Sequence, residues 1–277
     1  MTVLVSAADL RSAGRDVVLL DVRWALGEDR GREKYLAGHL PGAVFVDLET
    51  ELADPPSAAE GRHPLPSVQR LQSVARRWGV REGDAVVAYD ATGGLAAARA
   101  WWLLRWGGLT DVRLLDGGLD AWVRAGGPLE TGDVVPERGD VTLTGGGMPV
   151  LSIDGAAALP ASGGLLLDAR AGERYRGEVE PIDPRAGHVP GAVSAPATEN
   201  LGADGAFRPL GELAERFAAL GAAPGTTVGV YCGSGVTAAH EIAALAAVGI
   251  EAALWPGSWS QWSSDPARPA APGRDPG

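Results

Sequence analysis

The sequence predicts an α/β protein built from two tandem copies of one domain, each a mostly parallel sheet flanked by helices. Two observations lead there: the chain repeats itself over half its length, and within each copy short β-branched runs alternate with helical patterns. Leu20-Asp21-Val22-Arg23 is followed by Gly38-His39-Leu40-Pro41-Gly42-Ala43, and Leu167-Asp168-Ala169-Arg170 by Gly187-His188-Val189-Pro190-Gly191-Ala192. Asp168 lies 147 positions after Asp21, and His188 lies 149 after His39. Two apolar runs, Val86-Val87-Ala88-Tyr89-Asp90 and Val228-Gly229-Val230-Tyr231-Cys232, are offset by 142. Each copy closes on a Gly-Trp pattern, Gly117 to Trp122 and Gly257 to Trp262. A unit this long is a duplicated domain, not a solenoid repeat.

Taken in order, Val17–Asp21, Asp84–Tyr89, Val112–Leu115 and Val228–Tyr231 read as strands. Ser67–Trp78, Leu95–Trp106 and Ala238–Val248 read as helices. Such alternation gives a parallel sheet covered on both faces, with ligands bound at the C-terminal ends of its strands. Asp90 and Cys232 both fall there. The expected organisation is a first domain at 1–127, a linker at 128–149 marked by Pro128, Pro136 and Gly145-Gly146-Gly147, a second domain at 150–265 and a loose Pro/Ala/Gly-rich tail at 266–277.

With 45% hydrophobic residues, the 277-residue chain can bury real cores. Its formal net charge of -11 argues against a nucleic-acid binder. No run is long and apolar enough for a membrane helix, and the N-terminus does not read as a signal peptide. The expected compartment is the cytoplasm. Lys34 is the only lysine, so an anionic substrate must be held by arginine or by backbone N–H groups. A single cysteine excludes an intrachain disulfide framework and a multi-cysteine metal site.

That cysteine opens Cys232-Gly233-Ser234-Gly235-Val236-Thr237, between a strand and a helix. Two glycines let the backbone curl so that N–H groups point inward, and the helix N-terminus adds unpaired donors. A thiol there is stabilised as the thiolate. Phosphate-ester hydrolysis would want an arginine six positions on, where Ala238 stands. Gly233-Ser234-Gly235-Val236-Thr237-Ala238 also fits a dinucleotide fingerprint, with Glu251 beyond it, but too few strands remain to complete such a fold. Sulfur transfer through a persulfide needs only the thiolate and an anion-cradling loop.

The duplication, the paired G-H-x-P-G-A motifs, the loop from Cys232 to Thr237 and Gly257-Ser258-Trp259-Ser260-Gln261-Trp262 together resemble the two-domain rhodanese family. Within it they most resemble the 3-mercaptopyruvate sulfurtransferase branch. The resemblance implies that Cys232 is the nucleophile and that Gly233, Gly235, Val236 and Thr237 cradle the substrate. It also implies that the first copy, with Asp90 in place of cysteine, is non-catalytic. Arg174 matches an arginine that binds the donor's acidic group; Arg185 matches a second, at a spacing to His188 shorter than usual. His63, before Pro64-Leu65-Pro66, matches a histidine that reaches across the domain interface to the loop serine, here Ser234, and pairs with an acid at the position of Glu49. His39 and His188 occur in both copies while only one copy has the cysteine, so they are expected to be structural, as are Asp168, Arg170, Asp21 and Arg23. Neither cofactor nor metal is implied. The implied partners are a small-molecule sulfur donor and an acceptor thiol such as a thioredoxin, or cyanide. Thiosulfate as donor, and a silent protein-binding module, stand as alternatives.

Overall fold

The computed structural model describes residues 2–12 and 17–277. The chain divides into two compact units. One comprises Met1–Asp54, Pro66–Met148 and Leu201–Phe207; the other comprises Pro55–Leu65, Pro149–Asn200 and Arg208–Gly277.

The first unit is built on strands β1 (Leu4–Val5), β2 (Val17–Asp21), β3 (Val44–Phe45), β4 (Ala85–Tyr89) and β5 (Val112–Leu115). They form one sheet in the order β1-β5-β4-β2-β3, every pair parallel. Leu20, Val86, Ala88 and Tyr89 are fully buried, as strands covered on both faces must be. The helix expected over 67–78 runs Val68–Arg77. Ser67 is its N-cap, its hydroxyl accepting from the Arg70 N–H at 3.2 Å, and Arg76 and Arg77 sit in the last turn, where the helix dipole favours cations. The helix Ala97–Trp106 lies against the sheet with Trp101 and Trp102 fully buried. The stretch expected as a linker is held to this unit. Glu130 exchanges backbone hydrogen bonds with His39, the Val141 N–H donates to the Val80 carbonyl, and Val141 and Leu143 are buried.

The second unit repeats the plan. Strands β6 (Leu165–Asp168), β7 (Val193–Ser194), β8 (Val228–Tyr231) and β9 (Ala252–Leu254) form a parallel sheet in the order β7-β6-β8-β9. Val150 bridges Leu254 in parallel, as β1 pairs with β5 in the first unit. The helix Thr237–Ala247 follows β8 and is almost wholly buried. The terminal stretch expected to be loose is hydrogen-bonded to this unit: Ala271 pairs with His188, and the Gly273 N–H donates to the Arg176 carbonyl at 2.9 Å. Among the described residues no helix is long and apolar enough to cross a membrane.

The repeated G-H-x-P-G-A motif is a packing device. His39 stacks on Tyr35 with Nδ1 2.9 Å from its carbonyl, and His188 does the same on Tyr175. Each tyrosine hydroxyl donates to the carbonyl of the motif's last residue, Ala43 or Ala192. Arg23 and Arg170 each donate to the carbonyl of its first, Gly38 or Gly187.

Candidate active site

Cys232 follows β8 directly, so the sheet carries its sulfur to the C-terminal edge where α/β folds bind ligands. The residue is buried. Its Sγ accepts a hydrogen bond from the Gly235 N–H at 3.1 Å. Gly235 has φ +77°, and a Cβ there would stand 2.6 Å from the Pro256 carbonyl oxygen. Only glycine can make the curl that aims this N–H at the sulfur.

The last helix, Ser258–Ser264, holds the loop from outside. The Trp259 N–H donates to the Cys232 carbonyl and the Ser260 N–H to the Gly233 carbonyl, both at 2.9 Å. With its carbonyls tied outward, the loop turns its other groups inward. Ser258 has φ +53°, the one non-glycine residue with positive φ among those described, a conformation that costs energy unless its surroundings enforce it. Here its Oγ accepts from the Cys232 N–H at 3.2 Å and donates to the Trp255 carbonyl at 2.9 Å. Val236 is buried, and Thr237 opens the helix beyond the loop.

Ser234 and His63 meet: Nδ1 of the histidine is 2.7 Å from the serine Oγ, and both side chains are buried. His63 is carried by Pro55–Leu65, which folds as part of the second unit although it lies in the first half of the chain. Gly61 makes this docking close. At φ +90°, a Cβ there would stand 2.6 Å from the Gly257 carbonyl oxygen. The Arg62 N–H then reaches the Ser260 hydroxyl at 3.1 Å, and Gln261 Nε2 reaches the Ala59 carbonyl at 2.6 Å. Glu49 belongs to the first unit, where it accepts from Trp24 Nε1 at 2.7 Å.

Arg174 stands over the loop. A Cβ at Gly233 would lie 3.4 Å from its Nη1. Its guanidinium pairs with Glu180 at 2.6 Å and with Asp183 at 3.2 Å. Arg170, behind it, pairs with Asp168 at 2.6 Å and lies over the Trp259 ring. Burial pushes the Asp183 carboxyl above its usual range, against the pull of Arg62 and Arg174.

Arg185, expected beside Arg174, is placed elsewhere. Its guanidinium donates to the carbonyls of Trp262, Ser263, Asp265 and Arg268 at 2.7–3.0 Å. Those donors cap the C-terminus of the last helix and are not directed at the loop. The residue that reasoning from sequence did not single out is Arg62, whose Nη1 pairs with Asp183. The only signal was its position, next to His63.

In the first unit Asp90 occupies the place of the cysteine. Its Oδ1 accepts from the N–H groups of Thr92 and Gly94, and its Oδ2 from those of Ala96 and Ala97, at 2.8–2.9 Å. The anion cradle is intact there but filled by the chain's own carboxylate.

Comparison with known proteins finds one family in both units. The rhodanese-like domain family matches residues 5–125 and 152–265. A putative thiosulfate sulfurtransferase, SseB, of Mycobacterium tuberculosis is 51% identical over 279 residues, covering 98% of this chain and 97% of that protein. A probable 3-mercaptopyruvate sulfurtransferase of Pseudomonas aeruginosa is 48% identical over 268 residues, covering 93% of each. The crystal structure of SseA, a 3-mercaptopyruvate sulfurtransferase from Escherichia coli, superimposes with a TM-score of 0.83 at 32% identity, covering 94% of this chain and 100% of that one.

Proposed function

The chain belongs to the rhodanese family of sulfurtransferases, and from that premise we propose that it moves a sulfur atom from 3-mercaptopyruvate to a thiol acceptor through a persulfide on Cys232. The observation that carries the reading is the Cys232 loop: a buried sulfur with an N–H aimed at it, and a guanidinium standing one residue away over Gly233.

The Cys232 thiolate attacks the donor's sulfur. The S–S bond forms as the C–S bond breaks, and the electron pair passes to the three-carbon fragment as the enolate of pyruvate. A proton then converts the enolate to pyruvate. In this reading His63 pairs with Ser234, and the serine hydroxyl donates to the oxygen on which that charge develops. The persulfide keeps the outer sulfur until an acceptor thiol removes it and restores Cys232. A dithiol such as a reduced thioredoxin, or cyanide in an assay, would serve. Two covalent half-reactions imply ping-pong kinetics.

The choice of donor follows from where the charge lies. Residues 233 to 237 carry no charged side chain. Thiosulfate is a compact dianion, with its charge shared by the transferred sulfur and the group bonded directly to it. In mercaptopyruvate the carboxylate is two carbons removed from the sulfur, which suits a cation beside Gly233. Steady-state kinetics with both donors test this. We expect mercaptopyruvate to be preferred by at least the value of one charge-assisted hydrogen bond, roughly 10-fold. Equal or better turnover of thiosulfate would overturn the donor assignment and favour the second reading, a thiosulfate sulfurtransferase, which the name of the Mycobacterium tuberculosis relative suggests. A silent binding module is excluded if iodoacetate alkylates Cys232 at neutral pH.

A further inference from the structure

Two guanidinium groups reach Gly233. Besides Arg174, Arg62 brings its Nη2 to 3.0 Å from the position a Cβ at Gly233 would take. Like charges so close are costly unless anions lie between them. Asp183 is one such anion: its Oδ1 pairs with Arg62 Nη1 and its Oδ2 lies 3.2 Å from Arg174 Nη2. Glu180 is shared between Arg174 and Arg170. The arrangement leaves one nitrogen of Arg62 over. Asp183 takes Nη1 and Nε is buried, so Nη2 is the nitrogen left to meet a ligand, and it is the one at Gly233.

We propose that Arg62 is a substrate-binding residue whose Nη2 holds the carboxylate of the sulfur donor, with Arg174 as the second cation. The proposal rests on the reading of Cys232 as the site of sulfur transfer from an anionic donor. It gives Pro55–Leu65 two tasks at once, since Arg62 grips the donor and the adjacent His63 sets the Ser234 hydroxyl. It also accounts for Arg185: with Arg62 over the loop, the arginine nearer His188 is free to cap the last helix.

The test uses the full chain with two variants. Arg62→Met removes the charge; Arg62→Lys keeps a cation but has one nitrogen where arginine offers separate ones to Asp183 and to the donor. The first readout is steady-state turnover of 3-mercaptopyruvate with cyanide as acceptor. The expected result is a KM raised roughly 10- to 100-fold in Arg62→Met, a smaller rise in Arg62→Lys, and kcat nearly unchanged in both. The second readout is the rate of Cys232 alkylation by iodoacetate divided by that by neutral iodoacetamide, which should fall several-fold in Arg62→Met. An unchanged KM and an unchanged alkylation ratio in the folded variants would overturn the proposal, as would a loss confined to kcat. The alkylation ratio does not depend on which donor is turned over. If wild-type protein does not use mercaptopyruvate and the ratio still falls, the donor assignment fails while Arg62 stands as the anion holder.

Discussion

Arg185 offers a sharp test of structure against sequence pattern. Replacing it with alanine removes four hydrogen bonds to the carbonyls of Trp262, Ser263, Asp265 and Arg268. Two of these carbonyls end the last helix, whose other end holds the Cys232 loop. The side chain is half-buried, so water can recover part of what is lost, and about 1 kcal/mol per bond is the appropriate scale. The expected cost is about 3–4 kcal/mol, a fall in Tm of roughly 10 °C for a unit of this size. Thermal unfolding followed by circular dichroism measures it. Because the guanidinium is not aimed at the loop, KM for mercaptopyruvate at a temperature where the variant is folded should stay within about twofold of wild type. A variant with unchanged Tm and a KM raised tenfold or more would refute the reasoning and return Arg185 to the substrate site.

Three further outcomes are expected. Cys232→Ser should abolish sulfur transfer without unfolding the protein, and mass spectrometry of donor-treated wild type should place one added sulfur on the Cys232 peptide. Asp90→Ala leaves three buried N–H groups and the more exposed one of Thr92 without their acceptor, so stability should fall by about 2–4 kcal/mol while turnover per folded molecule changes less than tenfold. Burial raises the Asp116 carboxyl above its ordinary 3.8, so ionising it opposes folding: its stabilising share is complete below the ordinary value and is lost as pH rises through the raised one. The Tm of wild type relative to Asp116→Asn should therefore decline as pH rises from about 4 toward neutrality, and a difference that grew with pH would contradict the sign.

The repeat made the fold legible, because a duplicated domain prints its strand ends and its turn motifs twice. The same logic marked His39 and His188 as structural, and their stacked tyrosines bear that out physically. Cys232 was legible because two glycines follow it between a strand and a helix. What could not be read was where long side chains point. Arg62 and Arg185 look alike in sequence, each within three residues of a histidine in a Pro-containing stretch. Which one faces the loop depends on how Gly61 docks on Gly257, a contact between residues nearly two hundred positions apart. Ser258 gave no sign of its left-handed backbone, which comes from its ties to Cys232 and Trp255. The stretches before Pro149 and after Pro266 have the composition of loose chain, yet a few buried or hydrogen-bonded positions, Val141, Leu143 and Ala271 among them, fix them.

The two units do not divide the chain at a single point, because Pro55–Leu65 folds with the second and Leu201–Phe207 with the first. Because Arg62 and His63 lie in the first half of the chain yet fold with Cys232, no continuous back half encodes the whole of the second unit. A frameshift or splice that spares the cysteine but loses the front half would leave a thiol without its histidine.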